Sequence, residues 1–390
     1  MSFSIVHTAD FHLDRNFSFL PDEKSYKRRK DLLDSFQQVV DFTLENKPDV
    51  LLISGDTFDK VLPRNPPRVH FMKNMRKIKE NGTQIFIIGG NHDVPKGIKE
   101  GVMSIETLQA AGIAKVFKGH DHDNIEYETI SKGTEKLNIH GVSYNPFLPS
   151  DKFINPHIST QDGYNILMMH GALQGISALD ADYEEDNPID SSAISKMNLD
   201  YVALGHYHNF GKREYDGTLA CYSGSTEKMT FNEENDDKCF LLLDLDSSGV
   251  SYEKISLKNR PIKTYDMFID ESTPDIDREI SEYLYSKVNK DLILRLKLKG
   301  RVTLEKYKTL HKSSLYNEFV NYYFWVSIID ELELTNYEDL LDLEKIEDDP
   351  IKVYKAHMKE IIDRLDGTEK DKYKKALDLG VGILSEYREE

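Results

Sequence analysis

Five short apolar runs in this chain each end in residues that can bind a metal ion, and this arrangement constrains the fold more than any other feature. The clearest run is residues 201–204, which lead into the sequence Gly-His-Tyr-His at 205–208. Two histidines at positions i and i+2 of an extended segment point to the same side, so both imidazoles can reach one point. Four further runs end in the same way: 5–6 lead to Asp10 and His12, 50–53 to Asp56, 85–88 to Asn91 and His92, and 166–169 to His170. Five strands are therefore predicted to deliver ligands to one edge.

The same runs indicate the fold class. Residues 50–53 and 85–88 are apolar throughout, which is typical of parallel strands covered on both faces. Helical patterns at 23–46 and 68–80 precede them, so strands and helices alternate over the first 100 residues. After residue 113 shorter strands are predicted, near 115–117, 125–130, 136–139, 165–169, 201–204, 219–222, 240–245 and 250–255. The sequence predicts an α/β fold with a four-layer α/β/β/α core, in which two stacked sheets are flanked by helices.

Three segments are predicted along the chain. Residues 1–259 contain all five ligand-bearing runs and form the core domain. Residues 260–345 are predicted to form a smaller α+β capping domain, with strands at 264–268, 291–299 and 322–329 and helices at 274–287 and 303–312. Residues 346–390 contain two helical stretches, at 351–365 and 368–387. Their apolar side chains could bury against this chain or against a partner.

The net charge of −18 argues at first sight against a nucleic-acid partner, whose phosphates demand positive surface. Its distribution weakens that objection. Residues 1–120 carry 18 Lys and Arg against 15 Asp and Glu, whereas residues 121–259 carry 10 against 24. Basic runs at 24–30 and 64–79 fit solvated helix faces, with phosphate contact as the alternative. The acidic stretch at 180–190 is predicted to be a solvated loop.

The apolar runs and the two cysteines bear on the compartment of the protein and on the type of metal ligand that it can offer. None of its apolar runs approaches the roughly 18 residues of a membrane span, and the first residues resemble a strand rather than a signal segment. We therefore expect a cytoplasmic protein without a membrane span. Cys221 and Cys239 lack the spacing of a zinc or redox site, and we expect two reduced thiols. Any metal ligands are thus predicted to be His, Asp and Asn.

The ligand set suits a pair of metal ions. Two divalent ions about 3.5–4 Å apart can clamp a phosphate and lower the pKa of a water between them. Asp56 is the predicted bridge, with one ion completed by Asp10, His12 and His208 and the other by Asn91, His170 and His206. Imidazole, carboxylate and amide ligands without thiolate fit manganese, iron or zinc. Singly, each residue could equally be a turn residue, a cap or a core histidine; their shared position at strand ends favours the metal site.

Two further residues are predicted to be catalytic. His92 neighbours a predicted ligand in a glycine-rich loop, so its ring should face the substrate. If the carboxylate of Asp59 accepts a hydrogen bond from His92, it holds the imidazole protonated as a general acid for the leaving oxygen. The alternative for Asp59 is an ordinary loop carboxylate.

The ligand blocks also resemble a known family. Asp10-x-His12, Gly55-Asp56-x-x-Asp59, Gly90-Asn91-His92-Asp93, His170-Gly171 and Gly205-His206-x-His208 together resemble the calcineurin-like metallophosphoesterase superfamily. Within it, residues 7–13 and 204–208 are similar to the nuclease subunits of the double-strand-break repair complex, the SbcD and meiotic-recombination-eleven type. The stretch at 292–300 is similar to the capping domain of those proteins. The resemblance covers residues 1–330.

The resemblance implies a manganese-dependent nuclease with 3′–5′ exonuclease and single-strand endonuclease activity on DNA, including duplex ends. It also implies a homodimer and a partner ATPase of the SbcC type with long coiled coils. Metal roles carry over to Asp10, His12, Asp56, Asn91, His170, His206 and His208, and the catalytic role carries over to His92.

Two residues depart from the family pattern. Archaeal and eukaryotic members typically have histidine where Asp59 stands. Asp14 replaces a usual glycine, which puts a negative side chain near the expected DNA path. Two other functions stay open: a metallophosphoesterase acting on another phosphate ester (a nucleotide, phosphoprotein or lipid), and a DNA-end tethering scaffold with an inactive site. Against a protein phosphatase, Asp59 is followed by Lys60-Val61 and not by the Arg-Gly of those enzymes.

Overall fold

The structure is a computed structural model, and it describes residues 2–97, 101–148, 154–176, 188–335, 354–355, 358–359, 362 and 367–386. The strands are β1 (Phe3–Thr8), β2 (Val50–Ser54), β3 (Gln84–Ile88), β4 (Lys115–Phe117), β5 (Glu126–Lys132), β6 (Glu135–Gly141), β7 (Tyr164–His170), β8 (Ala172–Leu173), β9 (Pro188–Ile189), β10 (Tyr201–Gly205), β11 (Gly211–Tyr215), β12 (Thr218–Tyr222), β13 (Cys239–Asp246), β14 (Gly249–Ser256), β15 (Ile262–Ile269), β16 (Asn289–Val302) and β17 (Tyr323–Leu334). The helices are α1 (Asp22–Asn46), α2 (Asn65–Glu80), α3 (Glu106–Ala110), α4 (Ser191–Ser195), α5 (Ile276–Tyr285), α6 (Leu304–Tyr307), α7 (Lys312–Phe319) and α8 (Gly367–Glu386), with a 3₁₀ turn at Phe231–Glu233.

The first sheet carries the amino-terminal strands in the order β14-β13-β1-β2-β3-β4. β1 to β4 are parallel, while β13 and β14 pair antiparallel beyond β1. The helices α1 and α2 supply the long connections that parallel neighbours require. Every residue of β2 is buried, which confirms the prediction of a strand covered on both faces.

The second sheet is built on the same plan, in the order β11-β12-β10-β7-β6-β5. Its four central strands are parallel, and β11 and β5 pair antiparallel at the two edges. In this register Gly205, at the end of β10, lies opposite His170, at the end of β7. The two parallel strands that carry predicted histidine ligands therefore end side by side.

Apolar cores fix both sheets in place. One core joins the α1 and α2 residues Phe36 and Phe71 to strand residues such as Leu51. A second contains residues of both sheets, among them Leu52 and Met168, so the sheets pack face to face. Burying a side chain of this size contributes about 1.5–3 kcal/mol. The strand ends are thus held by a large packed interior, as expected of the predicted α/β fold.

The chain divides into two compact units. One comprises Met1–Tyr265, Val288–Arg295 and Phe319–Ser327, and the other comprises Asp266–Lys287, Leu296–Glu318 and Ile328–Glu390. β15, β16 and β17 form a three-stranded sheet in that order. No helix in the described part of the chain is both long and apolar enough to cross a membrane. Both cysteines, Cys221 and Cys239, are free and buried.

The predicted strands and helices of residues 1–302 are all found, with bounds shifted by up to three residues. The helix predicted at 303–312 is wrong in extent, because α6 ends at Tyr307 and α7 begins at Lys312. The backbone N–H of His311 donates to the carboxylate of Asp277 (2.9 Å) instead of continuing a helix. The acidic stretch is described only at 188–190, where Pro188–Ile189 forms the buried strand β9 and not the predicted solvated loop. The helix predicted at 351–365 is described only at 354–355, 358–359 and 362. The remainder of both lies outside the described residues.

Candidate metal centre

The predicted ligands stand at the carboxyl ends of five parallel strands. Asp10 and His12 follow β1, Asp56 follows β2, and Asn91 follows β3 in the first sheet. His170 closes β7, and His206 and His208 follow β10, in the second sheet. Because the sheets face each other, these ends meet at one edge of the molecule, and the contacts described next join residues from both sheets.

One group of side chains forms around His12. Its Nε2 atom lies 3.1 Å from Nε2 of His208 and 3.5 Å from Oδ2 of Asp56. Ligand atoms of Asp10, His12 and Asp56 all lie within 4.8 Å of one another. The three side chains are almost completely buried. The structure therefore brings Asp10, His12, Asp56 and His208 to one point, with atoms spaced as a single cation could bridge them.

A second group forms around His170. Its Nε2 atom lies 3.0 Å from Oδ1 of Asn91 and 3.5 Å from Oδ2 of Asp56. The rings of His170 and His206 are 5.3 Å apart, and the backbone N–H of His206 donates to both carboxylate oxygens of Asp10 at 3.1 Å. Oδ2 of Asp56 is thus equally distant from His12 and His170. This is the position that the sequence predicted for a bridging carboxylate.

The backbone at these positions is strained. Asp10, His12, Asp56 and His206 have positive φ angles of 53°, 44°, 47° and 109°. Side chains other than glycine seldom adopt this region, and each such residue costs of order 1–3 kcal/mol. Strain of this kind persists where the surrounding structure over-determines it and gathers at functional sites. The four residues therefore point to a site built for ligand binding at the cost of local stability.

Glycines allow the strand ends to approach this closely. A Cβ atom at Gly205 would lie 1.9 Å from the carbonyl oxygen of Ser54, and one at Gly90 would lie 2.2 Å from Oδ1 of Asp56. Neither contact is physically possible. Gly205 is therefore required by close packing between the two sheets, and Gly90 by close packing between two loops of the first sheet.

The electrostatics of the centre suit a cation. Burial raises the pKa of Asp56, but the imidazoles of His170, His12 and His92 outweigh it and hold that pKa well below its usual range. Burial lowers the pKa of His170, yet the charges of Asp56 and Asp10 raise it to about 9. No lysine or arginine within the described residues forms an ion pair with Asp10 or Asp56. Two buried carboxylates beside imidazole and amide donors form a donor set that fits divalent metals.

Metal binding should stabilise this chain. Titrating manganese into metal-free protein is expected to raise the free energy of unfolding by about 2.7 kcal/mol for each ion at one hundred times its dissociation constant. The physical reason is that the ions bind the folded ligand set and not the unfolded chain. Thermal unfolding with and without a chelator measures this, and an unfolding midpoint indifferent to manganese would contradict it.

The two residues predicted to be catalytic are adjacent, but their contact differs from the expected one. Nδ1 of His92 lies 3.1 Å from the backbone carbonyl oxygen of Asp59, not from its carboxylate. The carboxylate instead accepts a hydrogen bond from Nη1 of Arg15 at 2.8 Å and lies 3.2 Å from Nδ1 of His12. Ligand atoms of His12, Asp59 and His92 lie within 4.8 Å of one another. Asp59 thus orients His92 through its main chain.

Asp93 is a buried residue whose position the sequence did not reveal. Its carboxylate accepts hydrogen bonds from the backbone N–H groups of Thr57 (2.9 Å), Phe58 (3.0 Å) and Gly90 (3.3 Å). Burial, with the nearby charge of Asp56, raises the pKa of Asp93 to about 7. The residue ties the loop that carries Asp56 to the loop that carries Asn91 and His92.

Replacing Asp93 with alanine is expected to lower the free energy of unfolding by about 2–4 kcal/mol, because three backbone donors lose their acceptor in a buried site. Urea denaturation of the metal-free chain measures this. Asp93→Asn keeps one acceptor oxygen and should cost less. Equal stability of the alanine variant and the wild-type chain would show that water replaces the carboxylate.

The carboxylate of Asp14, which the sequence led us to expect near the DNA path, is paired with cationic side chains. Asp14 is buried, and its carboxylate accepts hydrogen bonds from Nε (2.7 Å) and the backbone N–H (2.9 Å) of Arg64, with Nζ of Lys60 at 3.2 Å. These partners hold the pKa of Asp14 below its usual value, although burial opposes them. Its φ angle of 75° lies in the region that favours glycine.

Comparison with known proteins gives a consistent result. The sequence profile of calcineurin-like phosphoesterases matches residues 3–210. A DNA double-strand break repair protein Mre11 from Thermoplasma acidophilum is 28% identical over 313 residues, which are 77% of this chain and 78% of that protein. The Mre11 of Methanocaldococcus jannaschii is 30% identical over 268 residues, 65% of this chain and 67% of that protein. The uncharacterized metallophosphoesterase YhaO of Bacillus subtilis is 25% identical over 64% of this chain and 59% of its own length.

Proposed function

Because this chain belongs to the calcineurin-like phosphoesterase family, with Mre11 proteins among its relatives, we propose that it is a two-metal DNA phosphodiesterase of double-strand-break repair. The proposed activities are 3′–5′ exonuclease on duplex ends and endonuclease on single strands. One observation carries the proposal: Oδ2 of Asp56 lies 3.5 Å from a ring nitrogen of His12 and 3.5 Å from one of His170, which follow strands of different sheets. Asp10 lies in the same cluster.

The proposed metal ligands fall into two sets around Asp56. Asp10, His12 and His208 would hold one divalent cation, and Asn91, His170 and His206 the other. The donor types suit manganese, which we propose as the cofactor. When bound, such a pair polarises a phosphate and supplies an activated water. Two carboxylates against two divalent charges leave a net positive site, which favours a phosphodiester.

His92 is proposed to donate a proton to the leaving oxygen. With Nδ1 held by the carbonyl oxygen of Asp59, a protonated ring keeps its second N–H for the substrate. Its backbone N–H donates to Oδ1 of Asp56 at 2.9 Å, which fixes the loop beside the proposed metal ligands. The hydrogen bond from Arg15 to the carboxylate of Asp59 fixes the residue whose carbonyl oxygen contacts His92. His92 is therefore positioned by two hydrogen bonds of its own, neither of which uses its second ring nitrogen.

Positive side chains beside the centre support DNA over other phosphate esters. Arg15 contacts Asp59, and Lys60 and Arg64 both contact Asp14. Arg64 also lines a cavity of about 180 Å³ with Arg29 and Lys30 on α1. Arg15, Lys60 and Arg64 are each paired with a carboxylate. Arg29 and Lys30 form no ion pair among the described residues, and their charges suit a polymer with a negative charge at every nucleotide.

We further propose the assembly and domain roles that the sequence resemblance implies. Residues 1–259 would be the nuclease domain, residues 260–345 the capping domain, and residues 346–390 the region that docks an SbcC-type ATPase. The active form would be a cytoplasmic homodimer. Co-expression with such an ATPase tests this, and a chain lacking residues 346–390 should fail to co-purify.

A substrate panel separates the proposed function from its rivals. The chain is incubated with labelled duplex DNA, single-stranded DNA, a phosphopeptide and a cyclic nucleotide, each with manganese and with magnesium. We expect manganese-dependent cleavage of the two DNAs alone. Turnover of the phosphopeptide or cyclic nucleotide without DNA cleavage would identify another phosphoesterase. DNA binding with no product would identify a tethering scaffold.

A further inference from the structure

His208 lies in the loop after β10, and both its ring and its backbone are held from outside the ligand cluster. Its Nε2 atom faces His12 at 3.1 Å. Its other ring nitrogen, Nδ1, lies 3.4 Å from Oε1 of Glu233. Glu233 belongs to the 3₁₀ turn 25 residues later in the chain, and it has no place in the five ligand blocks.

Glu233 is itself rigidly fixed. It is 8% exposed, and its Oε2 atom accepts hydrogen bonds from Nζ of Lys238 at 2.6 Å and from the backbone N–H of Met229 at 3.2 Å. The hydroxyl of Thr230 donates to Oε1 at 3.4 Å. A carboxylate with this many donors cannot swing away at little cost, so it presents Oε1 to His208 in one orientation.

Lys238 holds the same histidine by its main chain. Its side chain is almost completely buried, and its ammonium group donates to the carbonyl oxygen of His208 at 2.8 Å as well as to Glu233. Asp236 lies 3.1 Å from the same ammonium group but makes no contact with His208. The backbone N–H of Ser225 also donates to the His208 carbonyl at 3.0 Å. The ion pair of Glu233 and Lys238 therefore contacts both the ring and the backbone carbonyl of His208.

We propose that Glu233 and Lys238 form a clasp that positions His208 and thereby sets the affinity of one of the two cations. The inference rests on the proposed function, because it requires His208 to be a metal ligand. A metal-bound histidine commonly donates its second N–H to a carboxylate, and loss of that partner costs about 10–100-fold in metal affinity. Glu233 stands where that partner belongs.

The other proposed cation does not depend on the clasp. The Nδ1 atom of His170 lies 2.9 Å from the carbonyl oxygen of Ser54, a main-chain group of β2. The described hydrogen bonds and ion pairs of the Glu233 carboxylate all go to His208 and to residues 229, 230 and 238, and none goes to His170 or Asn91. A change at Glu233 should therefore weaken one cation and leave the second unaltered. A loss of general stability would weaken both.

Isothermal titration of metal-free protein with manganese tests the clasp. For Glu233→Gln we expect two binding events, one weakened by about 10–100-fold and the other at the wild-type affinity. Asp236→Asn is the matched control, because it removes a carboxylate from the same lysine without touching His208. It should leave both affinities unchanged.

A second variant guards against misfolding, since Glu233→Gln leaves the buried Lys238 with one anionic partner fewer. The double variant Glu233→Gln/Lys238→Met removes both charges of the pair and should fold, because the one carboxylate that loses the lysine, Asp236, is partly exposed to water. Its affinity for the same one of the two cations should be weakened, and its affinity for the other should stay at the wild-type value. The unfolding midpoint of each metal-free variant checks its fold.

The outcomes separate two failures. Two wild-type affinities in both Glu233 variants, or an equal weakening of the two cations, would overturn the clasp and leave the proposed function standing. A wild-type chain that binds no manganese would overturn the proposed function and the clasp with it.

Discussion

Replacing Asp56 with asparagine is expected to abolish DNA cleavage while the chain stays folded. Asparagine keeps the shape of the side chain and an oxygen that can accept from the backbone N–H of His92. It removes the negative charge that lies 3.5 Å from both His12 and His170. If Asp56 bridges two cations, the lost stabilisation is about 4 kcal/mol in the transition state, or roughly 10³-fold in rate.

The variant Asp216→Asn provides a matched control for this experiment. Asp216 has the same positive φ of 47° as Asp56, but it is exposed in the turn between β11 and β12. Asparagine tolerates that backbone conformation at either position. Turnover of a labelled oligonucleotide at saturating manganese should be unchanged in Asp216→Asn. Wild-type turnover in Asp56→Asn would contradict the proposal that the Asp56 carboxylate bridges two cations.

The second large effect is expected for His92→Ala, which should retain both cations and lose turnover. His92 is half-buried and outside the two proposed ligand sets, so manganese affinity should stay at the wild-type value. General acid catalysis contributes about 10²–10⁴-fold, and the loss in kcat should fall in this range. Single-turnover cleavage measures the rate, and calorimetry measures the metal.

His311→Ala is the control for that variant, because His311 is an exposed histidine with an ion pair to Asp277 and lies in the other compact unit. It should cleave at the wild-type rate. An unchanged rate in His92→Ala would refute its catalytic assignment. A parallel loss of manganese binding would instead make His92 a metal ligand.

The strand-end positions of the proposed ligands could be predicted from sequence because parallel strands leave a clear pattern. A run such as residues 50–53 is apolar without interruption, and a polar residue that follows it must stand at the sheet edge. Strand direction then determines which edge. Neither step depends on how a loop folds. Asp56 and His170 could therefore be predicted to lie close together although they are 114 positions apart in the sequence.

Contacts that depend on loop conformation could not be predicted in the same way. The sequence placed Asp59 near His92. It could not show whether His92 contacts the carboxylate or the backbone carbonyl of Asp59, because the two groups are only a few bonds apart. Asp14 was expected to put a negative side chain near the DNA path, and its pairing with Arg64 could not be predicted because it joins residues 50 positions apart. Glu233 stands in an acid-rich stretch that is ordinarily solvated. In each case the contact depends on the conformation of a loop, and the local sequence pattern does not determine that conformation.

The most direct test of the account is anomalous X-ray diffraction from crystals of this chain grown with manganese. We expect two manganese peaks about 3.5–4 Å apart, with a carboxylate oxygen of Asp56 bound to both. One peak should also be bound by His12 and His208, and the other by His170 and His206. A single peak, or two peaks that do not share Asp56, would contradict the two-metal centre on which the proposed nuclease depends.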